Sequence, residues 1–83
     1  MKALTQYVRL AERHWRIWLP RRVAELERTG QLKAKLQEAA ERTVTDTAAR
    51  RQHFLQQGLT PQQAQQRAWE IVRERYLFLP PEE

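Results

Sequence analysis

The 83-residue chain contains no cysteine, no serine and no asparagine, and Asp46 is its only aspartate. Without cysteine there can be no disulfide, thiolate zinc ligand or thiol nucleophile, which suits an intracellular, cytoplasmic address. Without serine, and with His14 and His53 far apart in the chain, the Ser/His/Asp and Cys/His sets of nucleophilic catalysis cannot be assembled. Neither histidine has a companion at ligand spacing, so both read as packing or surface residues and no metal or cofactor is expected. Thr and Glu remain as reactive groups, but they stand where helix-surface chemistry already explains them. The expectation is a protein that is not an enzyme. Long apolar runs are also missing: nothing approaches the ~20 residues of a membrane span, and no apolar signal segment opens the chain. No membrane partner is expected.

Aliphatic and aromatic residues make up 41% of the chain and charged residues 30%, the balance of a globular helical protein. A single domain over residues 1–83 is expected. At this size folding buries only about 60% of the surface exposed by the unfolded chain, which leaves little room for a large catalytic cleft and makes a partner or second copy a natural source of stability. Apolar residues recur at helical spacing and nowhere alternate as in a half-buried strand. The expected fold is all-α, a compact bundle of three to four helices at about 5–18, 20–29, 32–57 and 61–76, with an apolar C-terminal tail.

Leu4, Val8, Ala11, Trp15 and Trp18 step by four and three along the first helix, which directs both tryptophans to the core, with Thr5 as N-cap. Pro20 then ends or kinks the helix, since it lacks the N–H that would bond Arg16 and disfavours a helical Leu19. Leu19, Val23 and Leu26 share one face of a second segment that closes at Gly30. In the third, Leu36, Ala40, Val44 and Ala48 repeat at i+4, between Leu32 and Leu55. Unbroken, that helix would be about 39 Å long, against a diameter of about 30 Å for a compact chain of this size. The β-branched Thr43, Val44, Thr45 and Thr47 cost roughly 2 kcal/mol together relative to alanine, so a bend at 43–47 is one solution and an elongated molecule another. Thr60, Pro61 and Gln63 make a capping box for the last helix, whose stripe is Ala64, Ala68, Val72 and Tyr76. Glu12/Arg16, Arg21/Glu25, Glu38/Arg42 and Asp46/Arg50 are spaced to pair at i, i+4.

The net charge of +5 is uneven: seven Lys and Arg against three Glu in residues 1–30 put +4 there. An anionic partner for this third follows, either a protein or nucleoprotein complex with an acidic surface or nucleic acid itself. Arg9, Arg13 and Arg16 share a helix face, and Arg21 and Arg22 extend the charge past the proline. A second candidate is "QQGLTPQQAQQRAW", a glycine-ended helix, a turn and a capped helix bearing Gln62, Gln63, Gln66 and Arg67. That is the outline of a helix-turn-helix, in which glutamine reads adenine and arginine guanine; a plain helical hairpin uses the same turn. The third is the tail "RERYLFLPPEE", where Phe78 and Leu79 either fold back as a lid or serve as anchors for a partner or a second subunit.

The run "HWRIWLPRRVAELERTGQLKAKLQEAAERT", His14 to Thr43, resembles the middle of small transposon-encoded proteins of the TnpV type. Trp18, Pro20, Arg21, Leu26, Gly30, Leu32 and Leu36 carry the likeness: a basic aromatic helix end, a proline, an apolar-spaced segment, glycine with leucine, then a long helix. The resemblance implies mobile-element or phage origin; it carries over no functional residue and no mechanism. The function expected is a small non-catalytic binding protein, an inhibitor or accessory factor, with direct DNA or RNA binding as the alternative.

Overall fold

The computed structural model describes residues 2–82. Four helices follow one another, α1 (Lys2–Trp18), α2 (Pro20–Arg28), α3 (Leu32–Gln56) and α4 (Pro61–Tyr76), and no strand occurs among the described residues. The start of α1 at Lys2 puts Thr5, expected as its N-cap, inside the helix. Ala3 and Leu4 are strong helix formers and nothing stops the helix behind Thr5.

Glycine and proline set the other boundaries. Gly30 and Gly58 have positive φ of 72° and 97°, backbone that costs other residues strain. Each completes a Schellman closure: Gln31 N–H reaches the Leu26 carbonyl at 2.7 Å and Leu59 N–H that of Phe54 at 3.1 Å. The Thr60 hydroxyl accepts from Gln63 N–H at 3.2 Å while the Gln63 side chain accepts from Thr60 N–H at 3.1 Å, the reciprocal capping box read from the sequence.

Pro20 produces a break at one residue. Leu19 sits at φ −130°, ψ 51°, outside the helical region, yet its N–H still bonds Trp15 at 2.7 Å and its carbonyl accepts from Val23 at 3.0 Å. The buried stripe therefore passes through the proline as Ala11, Trp15, Leu19 and Val23. Leu19 takes the next inward position, and Trp18, expected in the core, is left 48% exposed. Reading the stripe only as far as the end of α1 is what misplaced it.

α3 runs unbroken through Thr43–Thr47, so the molecule is elongated, 46 × 29 × 15 Å, rather than bent there. Its buried residues are Leu32, Leu36, Ala39, Ala40, Thr43 and Thr47, while Val44 is 37% exposed and Ala48 is exposed. The physical reason is angular: repeated i+4 steps advance about 40° each around a helix of 3.6 residues per turn, so a stripe held at i+4 drifts off the contact face. Thr43 offsets its burial by donating to the Ala39 carbonyl at 2.8 Å. The Thr47 hydroxyl has no hydrogen-bond partner among the described residues.

α4 returns alongside α3 with Ala64, Ala68 and Val72 buried against it. The small side chains let the two backbones approach closely. Contact persists to the far end of α4, where Tyr76 Oη donates to Asp46 Oδ2 at 3.2 Å. This is an αα-hairpin, whereas the helices of a helix-turn-helix cross at about 90–120°.

Beyond α4 the chain folds back over the α1–α2 junction. Leu77 is fully buried and joins Ala11, Trp15, Leu19, Val23, Leu32, Leu36 and Ala39 in the main core, with Phe78 and Leu79 packed against it. The return is hydrogen-bonded throughout: Trp15 Nε1 donates to the Leu77 carbonyl at 3.0 Å, His14 Nε2 to that of Leu79 at 2.7 Å, and Glu82 N–H to that of Trp18 at 3.0 Å. Glu82 then accepts from Arg21 N–H at 3.3 Å and Arg22 N–H at 2.8 Å. Leu19, the residue at the N-cap, supplies no side-chain bond to α2. A carboxylate from the opposite end of the chain does so and also opposes the helix dipole. Replacing Glu82 by alanine is expected to cost about 1 kcal/mol, lowering the thermal midpoint by about 4–8 °C for a chain of this size. Thermal melting followed by circular dichroism checks this, and an unchanged midpoint contradicts the cap.

Candidate binding face at the α1–α2 junction

Two tryptophans three residues apart have opposite fates. Trp15 is 3% exposed, its indole N–H satisfied by Leu77, while Trp18 stays at the surface beside Ile17, which is 61% exposed. With Pro20, Arg21, Pro81 and Glu82 they line a hollow of about 340 Å³ at the break between the helices. The sequence marked Pro20 only as a helix break and did not offer Ile17, Pro20, Pro81 or Glu82 as contact residues; it is the folded-back tail that brings residues 81 and 82 to this spot. A large exposed aromatic at the end of α1 had one available signal: it immediately precedes the residue whose i+4 spacing to Trp15 and Val23 claims the core.

Trp18 is also the outer end of a row of rings. Tyr7 stacks on Trp69 with centroids 5.4 Å apart, Trp69 meets Phe78 edge-on at 6.3 Å, Phe78 lies 5.3 Å from His14, and His14 lies 6.3 Å from Trp18. Contacts of this kind contribute about 0.5–1.5 kcal/mol beyond area for well-placed aromatic pairs. The row runs from α4 through the tail to the surface, and it holds the His14 ring, and through it the Trp18 side chain, against a packed support.

The arginines expected as one ridge divide. Arg9, Arg13 and Arg16 are exposed on α1, but Arg16 is engaged by Glu12 at 2.8 Å and by Glu27 of α2 at 3.5 Å. Hydrogen bonding to Glu12, more than the charge of Glu27, raises its pKa above the ordinary arginine value. Arg21 turns to the Trp18 hollow. Arg22 turns to the other side of α2, its guanidinium 5.9 Å from the Trp15 ring centroid. Glu25, expected to pair with Arg21, pairs instead with Arg28, the arrangement with the acid on the N-terminal side that suits the helix dipole. The pairs Glu12/Arg16, Glu38/Arg42 and Asp46/Arg50 form as spaced.

Gln62, Gln63, Gln66 and Arg67 are exposed together on the first turns of α4, along a shallow depression. Gln63 is occupied by its cap and Gln66 donates to Glu70 at 2.9 Å. Phe78 and Leu79 are half-buried against the core. Among the described residues no three His, Asp or Glu side chains gather as metal ligands would, and no helix is long and apolar enough to cross a membrane.

The opposite roles of the tryptophans predict opposite costs. Trp15→Ala removes a buried anchor and is expected to destabilise by about 3–5 kcal/mol, whereas Trp18→Ala should stay within about 1 kcal/mol of the parent. Urea denaturation of the two variants distinguishes them; equal losses would return Trp18 to the core.

No protein-family model, curated protein or solved structure matches the chain, so its fold and candidate face stand on its own residues alone.

Proposed function

We propose that the protein is a small non-catalytic docking protein whose contact face is Ile17, Trp18, Pro20 and Pro81. The observation that carries this reading is the 48% exposure of Trp18 next to Ile17 at 61%, in a chain small enough to need every large apolar side chain for its core. Tryptophan and arginine are the residues most enriched among those that dominate binding energy, and they do so near the centre of an interface. Here Arg21 borders the apolar hollow and Arg13 precedes Ile17 by one helical turn. Both are exposed.

The partner that fits is a protein with an apolar pocket rimmed by Asp and Glu. The pocket would take the Trp18 ring, and the acidic rim would meet Arg13 and Arg21 and speed encounter with a chain of net charge +5. Such a chain would act as an inhibitor or accessory factor, and its mobile-element or phage setting rests on the likeness of residues 14–43 to the TnpV-type proteins. Direct reading of DNA has weaker support: α4 lies along α3 instead of crossing it, and Arg16 is already held by two glutamates.

Quantitative affinity capture with the parent chain, with Ile17→Ala/Trp18→Ala and with Gln62→Ala/Gln66→Ala tests the reading. Loss of a central tryptophan anchor costs about 2 kcal/mol or more, roughly thirtyfold in affinity. The expected outcome is a protein retained by the glutamine variant and lost with the tryptophan variant. Equal capture of every protein by all three chains refutes the docking face.

A further inference from the structure

On the other side of α2 from the Trp18 hollow, three helices bring four cations around one groove of about 280 Å³: Arg22 of α2, Lys35 and Arg42 of α3, and Arg75 of α4. Glu38 is the single carboxylate among the described residues that line it, so these side chains together carry +3. That carboxylate is shared by Arg42 at 3.2 Å and Lys35 at 3.6 Å. Arg22 and Arg75 have no carboxylate partner among the described residues and lie instead over aromatic rings, each 5.9 Å from the centroid of Trp15 or Tyr76. Two guanidinium groups are thus positioned by packing, with their donor edges left for a ligand. Ala39 and the Trp15 ring, both buried, and the half-buried Leu79 lie between them.

We infer that this groove is a binding site for a small diphosphate group. A phosphoryl group brings about −1.5 to −2 charge and three acceptor oxygens, and the arginine fork matches that geometry with paired N–H donors. Two adjacent phosphoryl groups suit the excess of +3 better than one carboxylate does. At about 280 Å³ the groove is smaller than the roughly 300–1,000 Å³ of sites that enclose a drug-sized ligand, a size that suits the diphosphate group itself. This inference is independent of the docking face, from which it shares no side chain.

The test is a titration of the full chain with adenosine diphosphate followed by two-dimensional 1H–15N NMR, reading the Arg22 and Arg75 Nε–H and the Trp15 indole N–H. Saturable shifts at these three groups are expected, with the affinity read from the Trp15 indole N–H, the reporter that every variant keeps, weakened at least tenfold in Arg22→Ala/Arg75→Ala and unchanged in Arg9→Ala/Arg51→Ala. The second variant loses the same charge elsewhere, and the backbone spectrum of each reports whether it is folded. An absence of saturable shifts at millimolar ligand, or equal weakening in both variants, overturns the site. Tighter binding of a twelve-residue oligothymidylate than of adenosine diphosphate also overturns it, since the groove would then be a contact for a nucleic-acid backbone.

Discussion

Pro20 is the constraint on which the rest of the molecule depends. It takes Leu19 out of helical backbone without ending the inward stripe, so Leu19 rather than Trp18 continues the core from Trp15 to Val23. It also starts α2 on a residue whose side chain offers no cap. The donors of that first turn are met by Glu82, and to reach them the chain beyond α4 must cross the junction. That crossing buries Leu77, sets Phe78 against His14 and places Pro81 beside Trp18. A break in one helix, a distant cap and an exposed tryptophan are consequences of one residue.

The same geometry separates two surfaces. Arg21 and Arg22 are neighbours in sequence but about 100° apart around α2, so one borders the apolar hollow and the other the basic groove. The hollow offers aromatic area with little charge, as a central protein contact does. The groove offers concentrated positive charge. Both are rigidly backed, the first by the aromatic row ending at Trp18 and the second by the closely approached α3 and α4. Rigid backing lowers the ordering cost of binding at either surface.

What was legible in the sequence is what local chemistry decides. Gly30, Gly58, Pro20 and the Thr60/Gln63 box mark the helix boundaries through backbone conformation and nearby hydrogen bonds, and the structure places the boundaries there. The α4 stripe was legible because Ala64, Ala68 and Val72 span only two turns, too few for drift. Over the seven turns of α3 drift decides the outcome, and Thr43 and Thr47 are buried where Val44 and Ala48 were expected. The Glu82 cap lies 60 residues from Arg22 in sequence, beyond any local pattern. The groove gathers cations from three helices, and its members were visible in the sequence only as ordinary surface charges.

Trp18 is half exposed to solvent while Trp15, one helical turn before it, is buried. Incorporation of 5-fluorotryptophan, with each resonance assigned by single Trp→Phe substitutions, allows the 19F shift between H2O and D2O to be read for Trp15, Trp18 and Trp69 separately. The largest solvent shift is expected at Trp18 and the smallest at Trp15. A Trp18 resonance as insensitive to solvent as that of Trp15 would contradict this arrangement.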